Sequence, residues 1–326
     1  MNTGYDNYEI SNWKKCFRLG YLTHLRHWVP DRSAYPLLFG ICIHAGLDII
    51  WLGIQAGRPL GEVLDDAIHE FNKAWLGEGY PLFGPEFEDD ADDMKFRTPD
   101  TGAFILGEYI DRRAEYIKSV ELLGVEKPFI VKLPTGWDYN GVIDKVLREF
   151  SFLKGWEHKT TAMYSESRRS FQPNFMQAWD LDSQTKGYAR ALRILYDDPD
   201  ASMAIDGLAV HASARDFIVI PLDPPEVEIE TWAAEVGSWI NRIEAAKNAY
   251  IHEGFSIAEA FPKNDQSCFQ RYGTCGMFDL CRFCEHPEEE QEPPQGYRFK
   301  PWNPAFRRAT DKGVEATTIN LRSNYG

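Results

Sequence analysis

Long apolar runs are scarce in this sequence, and basic residues are fewer than acidic ones. Because we find no stretch of about eighteen consecutive apolar residues, we expect no membrane span. The first residues, MNTGYDNYEISNWKKC, lack the apolar core of a secretory signal. We therefore expect a cytoplasmic protein whose six cysteines are free thiols or metal ligands rather than disulfides.

The shortage of positive charge is large, since 35 Lys and Arg against 50 Asp and Glu give a formal net charge of −15. A module that holds nucleic acid by charge alone is usually basic, so this balance argues against that class of protein. It leaves room for an enzyme that gathers acidic residues around metal ions and binds DNA with a local basic surface. A Walker A motif is also absent, so any helicase partner is expected on a separate chain.

The sequence does contain the pattern of a mixed α/β protein. Helical spacing of apolar residues recurs along the chain, at 9–28, 36–56, 61–76, 102–122, 174–196 and 226–250. Short β-rich runs separated by turn residues lie at 125–133, 139–150, 152–161, 203–212 and 215–222. Strands surrounded by helices predict a mixed α/β domain. An acidic loop broken by Pro and Gly is expected at 77–100.

Two neighbouring predicted strands carry a pattern of carboxylates and a lysine. Asp144 lies in GVIDKVL, and Glu157 and Lys159 lie in GWEHKTT. Side chains alternate along a strand, so Glu157 and Lys159 share one face while His158 points away. With Asp144 on the same face, two carboxylates and the His158 carbonyl would make an oxygen-rich site for Mg²⁺ or Mn²⁺. The alternative is a surface strand with ordinary solvated charges.

The surroundings of this pattern resemble the RecB-type nucleases of the PD-(D/E)XK superfamily. Gln184 and Tyr188 are four positions apart, on one face of a predicted helix, and complete the series G-x-x-D, E-x-K-T, Q-x-x-x-Y. Upstream, Gly40 to His44 matches the G-x-x-x-H of that family, and Glu126 stands where such nucleases often carry a Glu. By itself His44 would also suit a core or surface position. The resemblance runs from Ser11 to about Cys284.

The resemblance implies a restriction-endonuclease-like core, a central mixed sheet flanked by helices, that hydrolyses phosphodiester bonds in DNA. It implies that Asp144 and Glu157 bind metal, that His44 completes the metal shell, and that Lys159 acts on water and phosphate. Gln184 and Tyr188 would then steady the lysine or the substrate.

A second constellation consists of cysteines near the end of the chain. These are Cys268, Cys275, Cys281 and Cys284. Such density in a cytoplasmic protein predicts a metal site, either zinc or an iron–sulfur cluster. The spacing C-x6-C-x5-C-x2-C is not a standard zinc spacing.

The positions of these cysteines resemble those of Cas4-like and AddB-like nucleases. Those nucleases hold a [4Fe–4S] cluster with one cysteine before the nuclease core and three after it. Ser11 to Tyr21 matches the pattern S-x-x-x-x-C-x-R-x-x-Y around their first cysteine. The resemblance implies a cluster on Cys16, Cys268, Cys275 and Cys281. Because Cys268 is farther from Cys275 than usual, Cys284 competes as a ligand. Cys42 lies in an apolar helix and is expected to be core packing.

These patterns predict a metal-dependent DNA exonuclease or end-processing nuclease for recombination, repair or CRISPR-adaptation-like processing. Its expected partners are single-stranded or duplex DNA ends and a separate helicase or recombination protein. Arg168 and Arg169 follow the catalytic strand and are expected to border the DNA path, or to be a solvated loop. The alternatives are a catalytically silent DNA-binding adaptor and a zinc-bound interaction protein.

The expected division is one RecB/Cas4-like nuclease domain over 1–284 and an irregular tail over 285–326. Within the domain we expect a helical insertion at about 45–122, a catalytic core at about 124–222 and a Cys-rich segment at 268–284.

Overall fold

The structure is a computed structural model that describes residues 4–32, 34–80, 82, 96–211, 215–270 and 273–302. Most of the acidic loop expected at 77–100, and residues 303–326 of the expected tail, lie outside the described residues.

The helices and strands follow in chain order. The helices are α1 (Asn7–Lys15), α2 (Phe17–Gly20), α3 (Tyr35–Gln55), α4 (Leu60–Gly77), α5 (Pro99–Ser119), α6 (Pro173–Gln177), α7 (Ser183–Tyr196), α8 (Glu226–His252), α9 (Ile257–Ala260) and α10 (Phe278–Phe283). The strands are β1 (Gly4–Tyr5), β2 (Trp28–Pro30), β3 (Glu121–Lys132), β4 (Asp138–Glu149), β5 (Phe152–Thr161), β6 (Tyr164–Ser165), β7 (Ser170–Phe171), β8 (Ser202–Ala209), β9 (Phe217–Leu222), β10 (Phe269–Gln270), β11 (Gly273–Thr274) and β12 (Tyr297–Phe299).

Capping residues set the helix limits that differ from the predicted ones. The Thr98 side chain accepts a hydrogen bond from the Thr101 N–H, so α5 begins earlier than expected. The segment 174–196 is not one helix, because the Asp182 side chain accepts from the Thr185 N–H and starts α7 as a separate helix. A tight helical turn at Ala178–Leu181 separates α6 from α7.

The chain divides into two compact units that interleave in sequence. We call Arg32–Lys127 with Ile143–Ile229 the sheet unit, and Met1–Asp31, Pro128–Val142 and Glu230–Gly326 the cysteine unit. Long elements such as β4 contribute residues to both.

The sheet unit contains a mixed sheet. Strand β5 pairs antiparallel with β4 and parallel with β8, which in turn pairs antiparallel with β9. On one face of β5, Trp156 packs against Trp51 of α3, with ring centroids 5.9 Å apart. On the other face, Gly155 lies against Leu192 of α7. Helices therefore cover both faces, and the predicted mixed α/β fold with a central sheet is confirmed.

Helices α3, α4 and α5 pack against one another around a large aromatic core. The members of this core include Phe39, Trp51, Phe71, Trp75 and Tyr109, all fully buried. Helix α3 is long and apolar enough to cross a membrane by length and composition, with a mean hydropathy of 2.0. Its most apolar stretch is 67% buried inside the unit, as in the core helix of a folded domain.

The cysteine unit is built around an aromatic cluster near the N-terminus. The Phe261 ring stacks on Tyr21 at 4.9 Å and lies 5.7 Å from Trp13. The buried Arg18 guanidinium donates to the carbonyls of Phe261 and Ile257, at 3.1 and 3.2 Å, and so fixes α2 to α9. Strand β12, within the segment expected to be irregular, pairs antiparallel with β2.

Candidate metal centre

The β4–β5 ladder ends just before Asp144 and Glu157. The last paired residues on this side are Lys145 and Trp156. Beyond them side chains replace the backbone partners: the Asp144 N–H donates to Glu157 Oε1 at 3.0 Å, and the His158 N–H donates to Asp144 Oδ2 at 2.9 Å. Both carboxylates are buried, with exposures of 1% and 0%. The two acids are therefore fixed by the backbone of the opposite strand.

Asp144 belongs to a group of side chains whose geometry suits a metal ion. His44, Glu126 and Asp144 each offer one ligand atom, and these atoms lie within 4.8 Å of one another. The His44 Nδ1 atom is 3.4 Å from Asp144 Oδ2. Among the described residues, Asp144 Oδ1 is buried without a hydrogen-bond partner. A buried anionic oxygen without a partner is costly, and a cation would satisfy it.

The charges in this group depend on one another. Burial alone raises the pKa of Asp144, but His44, Lys145 and Lys159 outweigh it and hold that pKa well below the ordinary value. Burial lowers the pKa of His44, yet the Asp144 carboxylate outweighs burial and raises it. Asp144 therefore stays ionised in the interior, as a ligand of a hard divalent cation must.

Lys159 is held beside this candidate metal group by a hydrogen-bond network. Its Nζ donates to Glu157 Oε2 at 3.2 Å and to Gln184 Oε1 at 3.1 Å. The Gln184 amide in turn donates to the Tyr188 hydroxyl at 2.9 Å and to Glu157 Oε2 at 3.3 Å. Gln184 and Tyr188 share one face of α7, as their spacing of four indicates. The network fixes the position of the lysine ammonium.

Most of the residues singled out in the sequence lie in this one place in the sheet unit. Those brought together are His44, Asp144, Glu157, Lys159, Gln184 and Tyr188. The His158 ring faces the other way, since its Nδ1 atom lies 3.5 Å from Asp206. Arg168 and Arg169 lie in the turn between β6 and β7 and are exposed.

Sequence reasoning missed a buried ion pair next to the site. Lys145 Nζ donates to Asp48 Oδ1 at 2.5 Å, and the lysine side chain is 0% exposed. The sequence could have indicated this pair, because Asp48 is a charged residue within the apolar helix α3 and follows His44 by one helical turn. A charge at such a position requires a partner.

In the cysteine unit, Cys16 contributes to the pKa of two cysteines of the Cys-rich segment. Burial raises the pKa of Cys268, and the nearby Cys275 and Cys16 raise it further. For Cys281, burial raises the pKa to about 11, and Cys16 and Cys275 again contribute. Burial also raises the pKa of Cys284, but its other main influences are Glu290, His286, Glu288 and Arg26 rather than a thiol.

The comparisons with known proteins do not assign this chain to a family. No family model matches the sequence, and no curated protein matches it. Among solved structures, a candidate exonuclease from Eubacterium rectale has 13% sequence identity and a TM-score of 0.49, covering 89% of this chain and 90% of its own. A likeness of this degree carries no information on activity, which must come from the site itself.

Proposed function

We propose that this protein is a metal-dependent nuclease of the PD-(D/E)XK type that hydrolyses phosphodiester bonds in DNA. One observation carries the proposal. The buried Asp144 has a carboxylate oxygen without a hydrogen-bond partner among the described residues, inside a group with His44 and Glu126, and Lys159 is held beside it. Two carboxylates, an imidazole and a fixed ammonium suit attack of water on a phosphodiester.

Each residue has a distinct role in this proposal. His44, Glu126 and Asp144 would hold Mg²⁺ or Mn²⁺, which when bound polarises the phosphate and lowers the pKa of water. Lys159 orients the attacking water or neutralises the phosphate oxygens. Gln184 and Tyr188 keep the lysine in place through the network described above.

For Glu157 we propose a positioning role, and the metal ligation expected from the sequence is the alternative. Its Oε1 accepts from the Asp144 N–H, and its Oε2 accepts from Lys159 and Gln184. In this arrangement Glu157 positions both Asp144 and Lys159, and Glu126 supplies the second carboxylate of the metal group. Ligation by Glu157 and by the His158 carbonyl stays a prediction.

We further propose that Cys16, Cys268, Cys275 and Cys281 hold a [4Fe–4S] cluster, with zinc as the alternative. Cys16 and Cys275 are among the main influences on the pKa of Cys268 and of Cys281 but not on that of Cys284, which supports this set over one that includes Cys284. The backbone N–H of Asn264 donates to Cys16 Sγ at 3.3 Å, a contact that suits a cluster-bound thiolate. Within the cysteine unit, the cluster would tie the N-terminal helices to the Cys-rich segment.

The decisive experiment is digestion of end-labelled single-stranded and duplex DNA with Mg²⁺ or Mn²⁺. We expect cleavage that EDTA stops and that Asp144→Asn and Lys159→Met each reduce by at least about 100-fold. Folded wild-type protein that binds DNA without cutting it would support the catalytically silent adaptor instead. The position of the label in the products also gives the polarity of cleavage and separates exonuclease from endonuclease.

A further inference from the structure

A concave surface lies directly after the strand that carries Lys159. Strands β6 and β7 form a short hairpin, and it borders a pocket of about 460 Å³. This volume is in the range of sites for single small ligands, and is too small for a DNA duplex. Strand β6 begins at Tyr164, five residues after Lys159, so their Cα atoms are at most about 18 Å apart.

Packing places one wall of the pocket on the catalytic face of the sheet. Gly207 of β8 is the register partner of Lys159, so both residues face the same side. The Phe175 ring lies so close to Gly207 that a Cβ there would be 2.7 Å from it. Phe171, which lines the pocket, stacks on Phe175 at 5.3 Å. The pocket and Lys159 are therefore on one face.

The lining of the pocket suits a phosphate-bearing ligand. Its lining residues include Arg168, two serines, Ser165 and Ser170, and two amide residues, Gln172 and Asn174. In the part of the chain that the structure describes, no acidic residue lines it. That is unusual in a chain with a net charge of −15, and hydroxyl, amide and guanidinium groups are the usual donors to phosphate oxygens.

The hairpin is fixed before any ligand binds. The Gln172 N–H donates to the Met163 carbonyl at 2.9 Å, and the Tyr164 hydroxyl donates to Asp216 at 3.2 Å. The Tyr164 and Phe171 rings pack edge to face with centroids 5.6 Å apart. A preorganised pocket loses little conformational entropy on binding.

We propose that this pocket binds one nucleotide of an unpaired DNA strand, with its phosphate on Arg168, next to the phosphodiester that is cut. The inference rests on the proposed nuclease function and adds the substrate class, a single strand or a frayed end. It also predicts different roles for two adjacent arginines, because Arg168 lines the pocket and Arg169 does not.

The test measures binding of the full-length protein to a fluorescein-labelled ten-nucleotide oligo-dT and to a blunt ten-base-pair duplex, in EDTA. Arg168→Gln should weaken binding to the single strand about tenfold and reduce the slope of log K against log salt by about 0.7. Arg169→Gln removes the same charge from the same turn and should change the affinity less than about twofold. Asn174→Asp should weaken single-strand binding, because it places an anion in the pocket.

Three results would overturn the inference. The two arginine variants could lose the same affinity for the single strand, Arg168→Gln could lose as much affinity for the blunt duplex as for the single strand, or Arg168→Gln could bind with wild-type affinity. Because EDTA prevents metal-dependent cleavage, the result does not depend on catalysis. Arg168-dependent binding in a protein that never cuts DNA would reject the nuclease proposal and keep the pocket. Metal-dependent cleavage of DNA together with unchanged binding in Arg168→Gln would reject the pocket and keep the nuclease proposal.

Discussion

His158 and Asp206 are register partners in β5 and β8, and their side chains meet on the face opposite Lys159. Asp206 is 0% exposed and accepts hydrogen bonds from Tyr109 at 2.8 Å and from Arg113 at 2.9 Å. Burial raises the pKa of Asp206, but these neighbours and His158 outweigh it and lower that pKa. Helix α5 is thereby anchored to β8, the parallel neighbour of the strand β5 that carries Lys159.

The two glutamates of the site should respond differently to substitution. Glu126→Gln should weaken Mn²⁺ binding at least about tenfold, since it removes a ligand of the metal group. Glu157→Gln should leave Mn²⁺ affinity within about threefold but lower kcat, because Lys159 loses its anionic partner. Isothermal titration with Mn²⁺ and cleavage rates at saturating metal measure the two effects. Equal loss of Mn²⁺ affinity in both variants would show that Glu157 is also a metal ligand.

The buried ion pair of Asp48 and Lys145 should be costly to break from one side. Asp48→Ala leaves a fully buried ammonium without this carboxylate and should lower the free energy of unfolding by about 3–5 kcal/mol. Lys145→Met combined with Asp48→Leu should recover most of that loss, because no buried charge remains. Urea unfolding of the single and double variants measures both.

An exposed ion pair provides the control for the Asp48 and Lys145 variants. Glu70 and Lys73 lie on the surface of α4 with their charged atoms 3.0 Å apart. Glu70→Ala should change the free energy of unfolding by less than about 0.5 kcal/mol. A loss at Glu70 as large as at Asp48 would show that burial is not the cause.

Gly207 should not tolerate a side chain. In Gly207→Ala the new Cβ would lie 2.7 Å from the Phe175 ring and 3.0 Å from Ile218, which costs about 1–3 kcal/mol of stability and displaces the pocket wall. Gly107 is the matched control, because a Cβ there meets only Leu64 at 3.8 Å. Since Gly107 lies within α5, Gly107→Ala should stabilise by about 0.5–1 kcal/mol. Thermal unfolding of both variants checks the contrast.

Glu9 should make stability fall as pH rises from about 4.5 to about 7. Burial raises its pKa from 4.5 to about 7, although Lys247 opposes the shift. Because the unfolded state loses this proton first, the stabilisation is complete below pH 4.5 and is lost as pH rises through about 7. Glu9→Gln stays neutral and should remove this dependence, on the order of 3 kcal/mol. Urea unfolding at pH 5 and pH 8 tests it, and an unchanged slope in the variant would contradict it.

The cysteines should separate into cluster ligands and bystanders. Protein purified without oxygen should be brown and carry about four irons per chain. Cys16→Ser should lose the colour and unfold at a lower temperature, whereas Cys284→Ser and the fully buried Cys42→Ser should keep the colour. One zinc and no iron would reject the cluster and leave the nuclease proposal intact.

Periodicity predicted the long elements well because each has an apolar stripe that must be buried. Helix α3 and strand β5 lie close to their expected limits, and Lys159 and Gln184 meet as the motif spacing indicates. The hairpin of β6 and β7 was not predicted, since two-residue strands carry no periodic signal. The place of Glu126 in the metal group also depends on three-dimensional geometry, including its backbone φ of 47°.

The carboxylates at the end of the β4–β5 ladder turn two main-chain amides into reporters of the metal. The Asp144 N–H donates to Glu157 and the His158 N–H donates to Asp144. A cation on Asp144 draws electron density from the oxygen that His158 contacts, so the amide proton of His158 should shift upfield in a nitrogen–proton correlation spectrum. The Asp144 amide donates its hydrogen bond to Glu157 instead, so its chemical shift should change far less. The two resonances therefore give a titration of metal occupancy that needs no substrate and no turnover.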